Sequence, residues 1–575
     1  MSDTFLPNVR VTPYLAIYVT LLQVKCNPKG RCMLCSLFTT FNYAAEHIMD
    51  TAIQYFAIFA ITLIVYGISS RLVLSPLKEY PGPLLARLTN GYAGWHAIKG
   101  DVHLVTYLDH LRYGPVVRQG PNRLVFNTLT AAQDIYLSNR VVKSSIYVLT
   151  RFRRRPSVFT ELDKTEHRRR RKAVGQAISE RSMRDFEPTM LSQIDVFLAQ
   201  LLRSSQKQET VDMTTRCKYL AMDVIGLIAF GCSWNIQTEE ALRILPRAFS
   251  ALTARVYLFM NWPKTHFIDP GVQWFIKERV EKFRKILAGM ISDRMALPID
   301  ARHDLFSFVA NDEAVGEMQH EGIRTSELWG EAGVFVNAGG TTTGTAMSAV
   351  FYYLSRHPSV YAQLASEIRT TFSSGSEIRQ GHQLTSCKYL RAVIDETLRI
   401  CPPTPGVGWR EKDPLSPEPL VVDGHVIPPG TLVGVGTYSL MHNPEYFPEP
   451  FSFQPQRWLE SGGEESPEAT EARAVMRRAF IPFSLGDRAC AGKAVAYLEL
   501  SLTVAKTMWY FDFEKAPGEE GKLGSGRLGA KGGRDRSNEY QLYDRFMADH
   551  EGPNLVFRAR GEHSEELIKV NEPDV

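Results

Sequence analysis

The sequence predicts a mainly α-helical domain with small β-sheets, carried behind one N-terminal transmembrane helix. Three observations lead there. Ala52–Ser70 is an uncharged, apolar run. The chain beyond it holds several long stretches with apolar residues at helical spacing. Between these stretches lie only short runs of strand-forming residues, bounded by turn signals.

Residues 1–51 have no single reading. Val11–Val24 is apolar yet short for a span, and it is poorly patterned as a cleavable leader. Whether it lies on the membrane, crosses it or stays unstructured is open. Cys32-x-x-Cys35, with Cys26 nearby, is an incomplete zinc or redox pattern, because no second CxxC or His pair completes it. The nineteen residues from Ala52 to Ser70 would rise ~28 Å as a helix, close to the ~30 Å of a bilayer core. Asp50 precedes this run, and Arg71 and Lys78 follow it, so the positive-inside rule places the downstream chain in the cytosol. Residues 71–83 end in Tyr80-Pro81-Gly82-Pro83, a stiff hinge that stops the helix.

No low-complexity linker divides the rest, so residues 84–575 are read as one domain. Helices are expected over Phe186–Leu202, Asp212–Phe230, Val272–Met295, Ser326–Arg356, Pro358–Phe372 and Tyr389–Ile400. Strands are expected over Val116–Gln119, Leu124–Asn127, Leu420–Val426 and Thr431–Val435, the last two joined through Pro428-Pro429-Gly430. The Gly/Lys/Arg-rich stretch Ala516–Ser537 reads as an exposed insertion, with order returning at Asn554–Phe557. A net charge of +4 on 575 residues gives no case for a nucleic-acid partner. Eight scattered cysteines are not a disulfide framework and fit a reducing compartment.

The chemistry concentrates in Phe483-Ser484-Leu485-Gly486-Asp487-Arg488-Ala489-Cys490-Ala491-Gly492, which runs into the helix-forming stretch from Lys493. A thiolate just before a helix start is favoured by unpaired amide donors and the positive end of the dipole. Gly486 and Gly492 would let the backbone approach a flat ligand, Phe483 offers an aromatic face and Arg488 a fixed cation. One axial thiolate to a haem iron suits this set, with the arginine on a propionate. The stretch resembles the cytochrome P450 cysteine loop, Phe-x-x-Gly-x-Arg-x-Cys-x-Gly, at every fixed position.

Three further constellations follow the same family's order. Glu396-Thr397-Leu398-Arg399 puts a carboxylate and a guanidinium on one helix face, and Arg457 follows in Phe453–Trp458. The resemblance implies a buried Glu396–Arg399–Arg457 network with a structural role. Ala338-Gly339-Gly340-Thr341-Thr342-Thr343 is a run of poor helix residues inside a long apolar helix. Small residues there would open a groove for dioxygen. By resemblance Thr342 is the oxygen-activating threonine, while Thr341 stands where an acid is usual and would share proton delivery. His167 and Arg171 lie one helical turn apart, so both could reach one propionate, and Arg410 resembles the arginine on the other. Arg168–Arg170, Lys172 and Arg151–Arg155 read as a solvated basic face, which could also dock an acidic reductase.

The resemblance therefore implies a membrane-anchored haem-thiolate monooxygenase that binds haem b (iron protoporphyrin IX), with Cys490 as the metal ligand. It would insert one atom of dioxygen into a hydrophobic small molecule. The 575 residues show no flavin or nicotinamide module after the haem domain, so electrons are expected from NADPH through a separate reductase. A single-pass location in the endoplasmic reticulum membrane, with the catalytic domain in the cytosol, follows. The closing pattern Tyr540–Phe546 and Gly552–Arg560 resembles fungal members that tailor secondary metabolites, mycotoxins among them. Pro403–Trp409, Ala251–Trp262 and Gly333–Ala338 are the expected pocket walls, with Phe259, Trp262 and Trp409 facing an apolar guest. Two other readings stand beside this one: a same-fold enzyme that rearranges or dehydrates without external oxygen, and a non-catalytic haem-binding protein.

Overall fold

The computed structural model describes residues 33–151, 156–178, 180–275, 277–298, 304, 325–460, 466–561 and 567. It forms two units, residues 1–74 and 75–575.

The first unit contains a single described helix, α1 (Met33–Leu72). The predicted span of 52–70 lies inside it, but the helix begins 19 residues earlier. The reason is local: no proline or glycine occurs from Met33 to Tyr66 to stop it. Tyr43–Leu72 has a mean hydropathy of 1.9 and is not buried against protein, so it is long and apolar enough to cross a membrane. Cys26 and Cys32 of the cysteine cluster lie outside the described residues.

The second unit is mainly helical. Seven helices position the site: α2 (Lys164–Ala177), α3 (Glu180–Gln206), α4 (Met213–Phe230), α5 (Ile244–Asn261), α6 (Thr325–Leu354), α7 (Lys388–Ile400) and α8 (Lys493–Tyr510). Five of them, α3, α4, α6, α7 and α8, supply much of the main hydrophobic core. Asp212 caps α4 by accepting from the Thr214 N–H, and Gly231 closes it in the left-handed region. The helix predicted over Val272–Met295 is described as Asp269–Phe275 and Lys277–Met295.

A five-stranded sheet packs beside the helices. Its strands are β1 (Val116–Gly120), β2 (Arg123–Phe126), β3 (Val141–Lys143), β4 (Arg410–Lys412) and β7 (Leu432–Val435), in the order β1-β2-β7-β4-β3. The pairing of β3 with β4 sets Lys143 opposite Arg410. The predicted strand Leu420–Val426 is instead a hairpin of β5 (Leu420–Val422) and β6 (His425–Ile427). Asp423 and Gly424 both take positive φ, which a two-residue hairpin turn demands and Asp-Gly supplies. Asn554–Ala559 forms the centre of a third sheet, between Val211–Asp212 and Phe511–Lys515.

The expected exposed insertion Ala516–Ser537 is exposed over much of its length, Lys522, Arg527, Leu528 and Lys531 included, and is tied down at points. Arg534 donates to the Gly100 and Leu542 carbonyls, Arg356 donates to the Gly521 carbonyl, and Gly521 and Gly526 are buried. Of its basic residues, Arg534 and Arg536 are the internal cross-links, Arg536 pairing with Glu539 at 2.9 Å.

The small residues of α6 divide: Ala338 and Gly339 line the domain's internal cavity, as expected, whereas Gly340 and the later Gly344 face α4. A Cβ at Gly340 would sit 2.6 Å from Met222 Sδ, and one at Gly344 would sit 3.0 Å from Lys218 Cα and 3.2 Å from the Cys217 carbonyl oxygen. These two glycines let α6 lie close against α4; they do not open a groove. The two contacts differ in compliance, because a methionine tip can rotate and backbone cannot. Gly344→Ala is expected to lower stability by about 1–3 kcal/mol through overpacking. Gly340→Ala is expected to be near neutral, since a helix gain of ~1 kcal/mol offsets a mild clash. Urea unfolding of both variants measures the difference, and equal effects would contradict this account.

Candidate active site

Cys490 sits in the turn before α8, where its N–H donates to the Phe483 carbonyl at 2.8 Å and closes the loop. Its sulfur opens onto a cavity of about 380 Å³ inside the domain. Burial raises the thiol's pKa, while the Gly492 N–H and the Arg171 and Lys493 charges pull the other way. Burial wins, so the helix start alone does not make the expected thiolate. A metal cation at the sulfur would do so, since a coordinating thiol is deprotonated outright. Gly492 lines the cavity, and a Cβ there would meet nothing within 4 Å, so this part of the cradle is open. Gly486 has a different role: it takes φ +69°, and a Cβ would strike the Tyr136 carbonyl oxygen at 2.3 Å. It packs the loop against the helix Leu129–Tyr136 and does not line the cavity. Phe483 lines the cavity with its ring 5.2 Å from that of Tyr497.

Basic side chains gather on the same cavity. His167 and Arg171 of α2 both line it, as do Arg410 of β4 and Arg488 of the cysteine loop. A fifth member, Lys143, was not anticipated from sequence; only the strand pairing that sets it beside Arg410 reveals it. Its ammonium donates to the Phe159 carbonyl and lies 3.4 Å from the centre of that ring. Burial, then Arg410 and Arg488, hold the Lys143 pKa well below the usual lysine range. Burial, followed by Arg488, Lys143, Arg171 and Arg410, pushes His167 down to about 3. Arg488 falls to about 10 through burial and Arg410, although its guanidinium also donates to the Glu161 and Leu162 carbonyls at 2.5 and 3.3 Å. Like charges this close repel in a poorly solvated space, so the arrangement suits a ligand with acidic groups.

Not every arginine of the basic run belongs here or to the solvent. Arg168 is exposed, whereas Arg170 is buried and pairs with buried Glu331 at 3.1 Å. The reading of Arg168–Arg170 as one solvated face is therefore corrected at Arg170. Residues 152–155, which hold most of the second basic run, lie outside the described residues.

Thr342 lines the cavity and donates from Oγ1 to the Ala338 carbonyl at 2.5 Å. Thr341 is about 100° further round the helix. It is buried away from the cavity, with Oγ1 3.2 Å from Asn337 Oδ1 and its carbonyl accepting from Thr345. The expectation that Thr341 shares the reacting space is corrected by helical geometry; Thr343 stands on the cavity wall instead. Phe259, Trp262 and Trp409 do not line the cavity either. Trp262 packs against Gly94, and Trp409 is buried beneath Arg123.

Glu396 of α7 accepts two bonds from Arg399, at 2.9 Å each, one from Arg457 Nε at 3.2 Å, one from Trp458 Nε1 at 2.9 Å and one from the Gln454 N–H at 3.0 Å. Arg399 also donates to the Met441 and Pro450 carbonyls. Trp458 and the Gln454 N–H are members of the network that the charge pattern of the sequence does not reveal. The neighbouring Asp395 accepts from Tyr497 of α8 at 2.6 Å, which joins this network's helix to the one after Cys490.

Among the described residues no group of three His, Cys, Asp or Glu side chains gathers to hold a bare metal ion. A metal at Cys490 must then bring most of its ligands with it. A flat, metal-centred macrocycle with acidic arms satisfies the sulfur, the open Gly492 edge and the basic cluster together, so the residues present fit haem.

The cytochrome P450 family model matches residues 82–528. The chain is 34% identical over 543 residues to a cytochrome P450 monooxygenase, atnE, of Emericella nidulans, covering 92% of this chain and 99% of that protein. It is 34% identical to poxM of Penicillium oxalicum, covering 88% and 94%, and 33% identical to AKT7 of Alternaria alternata, covering 85% and 94%. Both are also named cytochrome P450 monooxygenases.

Two outcomes are expected. Removing the Glu396 carboxylate leaves buried guanidinium groups uncompensated, which costs about 3–5 kcal/mol. Glu396→Ala and Arg399→Ala should each fail to incorporate haem, and a normally loaded variant would contradict the role assigned. Glu499, on the cavity wall, is buried with Oε1 unpartnered among the described residues, and burial pushes it up to about 8. The folded chain thus holds a proton that the unfolded chain releases near the ordinary 4.5. Stability from this group is fully present below about pH 4.5 and is lost as pH rises towards 8. Glu499→Gln should remove that loss, gaining on the order of 3 kcal/mol at pH 7. Urea unfolding between pH 5 and 8 should show the gap between variant and parent widening; parallel curves would refute the assignment.

Proposed function

Given that the chain belongs to the cytochrome P450 family, as a monooxygenase of it, we propose that it inserts one oxygen atom from dioxygen into a hydrophobic small molecule. Hydroxylation or a related oxidation within fungal secondary-metabolite biosynthesis, mycotoxin-like in character, is the reading adopted. The observation that carries it is the convergence of one sulfur donor, a basic cluster and a largely apolar chamber on a single cavity.

Bound there, haem supplies oxygen activation at an iron held by the Cys490 sulfur. His167, Arg171, Arg410, Arg488 and Lys143 are assigned to its two acidic arms, and that pairing relieves their mutual repulsion. Gly492 would leave room for the ring's edge, and Phe483 would offer it an aromatic wall. The apolar walls from α4 and α6 exclude bulk water. The Thr342 hydroxyl gives its own proton to the Ala338 carbonyl, so its oxygen is free to accept from a donor in the cavity and hold a proton there. Thr343 is the adjacent hydroxyl on the same wall.

Electrons are assigned to NADPH through a separate P450 reductase. The apolar helix Tyr43–Leu72 supports membrane anchoring. Single-pass insertion in the endoplasmic reticulum, with the catalytic domain cytosolic, is the orientation proposed from the charges flanking that helix. A second reading, rearrangement or dehydration without external oxygen, is favoured by one feature. Among the described residues, those of α6 on the cavity carry only hydroxyl or apolar side chains, with no carboxylate.

Expression with a reductase in a host making candidate precursors, followed by product analysis, tests the proposal. Product should require both dioxygen and NADPH; product formed without them would support the rearrangement instead. Cys490→Ser should abolish the thiolate-type absorption of the reduced carbonyl complex. Thr342→Ala should lower product per NADPH by about tenfold or more while leaving haem content unchanged.

A further inference from the structure

Three tyrosine side chains line the cavity: Tyr136, Tyr147 and Tyr257. The first two belong to the basic cluster. Tyr136 hydrogen-bonds the Val435 backbone, with Arg410 5.1 Å from its ring centre, and the Lys143 ammonium lies 4.2 Å from the ring centre of Tyr147. Tyr257, on α5, is held differently. Its hydroxyl donates to Asp544 Oδ2 at 2.8 Å, and both residues are buried.

Asp544 is itself fixed. Its Oδ1 accepts from the Phe546 N–H at 3.2 Å, and His103 Nδ1 stands 3.9 Å from its Oδ2. Gly406, on the cavity wall, completes the arrangement: a Cβ there would lie 2.7 Å from the Tyr257 oxygen and 3.4 Å from Asp544 Oδ2. Three separate segments thus meet around one oriented hydroxyl, and the wall segment keeps a glycine where a side chain would displace it. The pair sets polar atoms into an otherwise apolar wall, where they hydrogen-bond to each other. Burial in fact raises Asp544 to about 7, despite the bond from Tyr257.

We propose that Tyr257, oriented by Asp544, is the specificity-determining contact for the substrate, and that its partner is a hydroxyl group carried by an otherwise hydrophobic molecule. A hydroxyl both donates and accepts, so it satisfies the Tyr257 oxygen whichever partner of the Tyr257–Asp544 bond holds the proton. A hydrocarbon of the same shape leaves the dyad desolvated and unanswered. The inference rests on the oxygenase reading above and narrows its substrate class.

The test uses the haem-loaded protein and paired probes, decalin with 2-decalol and adamantane with 1-adamantanol. Binding is read from the haem absorption shift. The parent protein should bind each alcohol about five- to tenfold more tightly than its hydrocarbon, the worth of one neutral hydrogen bond. Tyr257→Phe should bring that ratio close to one while hydrocarbon affinity is kept, and Gly406→Ala should do the same by displacing the hydroxyl. An unchanged ratio in Tyr257→Phe, or a parent protein with no preference for either alcohol, overturns the proposal. Haem content and the thiolate-type absorption of the same samples separate the two readings. If both are intact, a missing preference counts against Tyr257 alone; if the parent protein lacks them, the haem-thiolate reading fails and the Tyr257 proposal falls with it.

Discussion

The Glu396 carboxylate is the constraint on which the rest of this domain depends. Five hydrogen bonds converge on it from α7, from the Gln454–Trp458 segment and from Arg457. Buried ions stabilise a fold only when every charge is answered, and here the bidentate Arg399 pair meets that condition. Arg399 extends the tie to the Met441 and Pro450 carbonyls, so the long connection towards the cysteine loop cannot drift. One residue earlier, Asp395 holds Tyr497 and with it the helix that follows Cys490. The position of one sulfur atom is thereby referred back to a rigid ionic knot.

The cavity follows the opposite rule. Arg170 and Glu331 show how the chain buries a cation when structure is the aim, with a carboxylate directly on it. Around the cavity, Lys143, Arg171, Arg410 and Arg488 are brought together with neutral His167, and burial and neighbouring cations of the cluster hold Lys143, His167 and Arg488 below their ordinary pKa ranges. Such a cluster stores repulsion that a dianionic ligand releases, which makes cofactor binding part of the stability of the domain. The same logic applies to Cys490, where burial opposes the charge that a metal would favour. Site and cofactor are two halves of one electrostatic balance.

Much of the fold could be read along the chain. The apolar spacing of Met213–Phe230 and Lys388–Ile400 matches the helices formed, because a 3.6-residue period reports a buried face directly. Asp423-Gly424, a local turn signal, makes a hairpin of the strand expected over Leu420–Val426. Elsewhere a distant partner decides the outcome. Gly340 and Gly344 answer to α4, more than a hundred residues away, and nothing near them in sequence says so. Within the exposed basic stretch before Tyr540, Arg534 alone meets the Gly100 and Leu542 carbonyls, and nothing in its local sequence announces them.

For the site, the sequence by itself determined the chemical type: one cysteine in a glycine-flanked loop, its arginine, the Glu396–Arg399 pair one helical turn apart and the threonines of α6. Those are covalent facts at short spacing, and short spacing survives any fold. Tertiary structure alone decided which of them face the cavity. It turned Thr341 away by a fraction of a helical turn, gave Gly486 a packing role, and brought in Lys143, Glu499 and Tyr257. A cavity wall is assembled from strands and helices hundreds of residues apart. Side-chain direction on that wall depends on helix phase and strand register, which only packing sets.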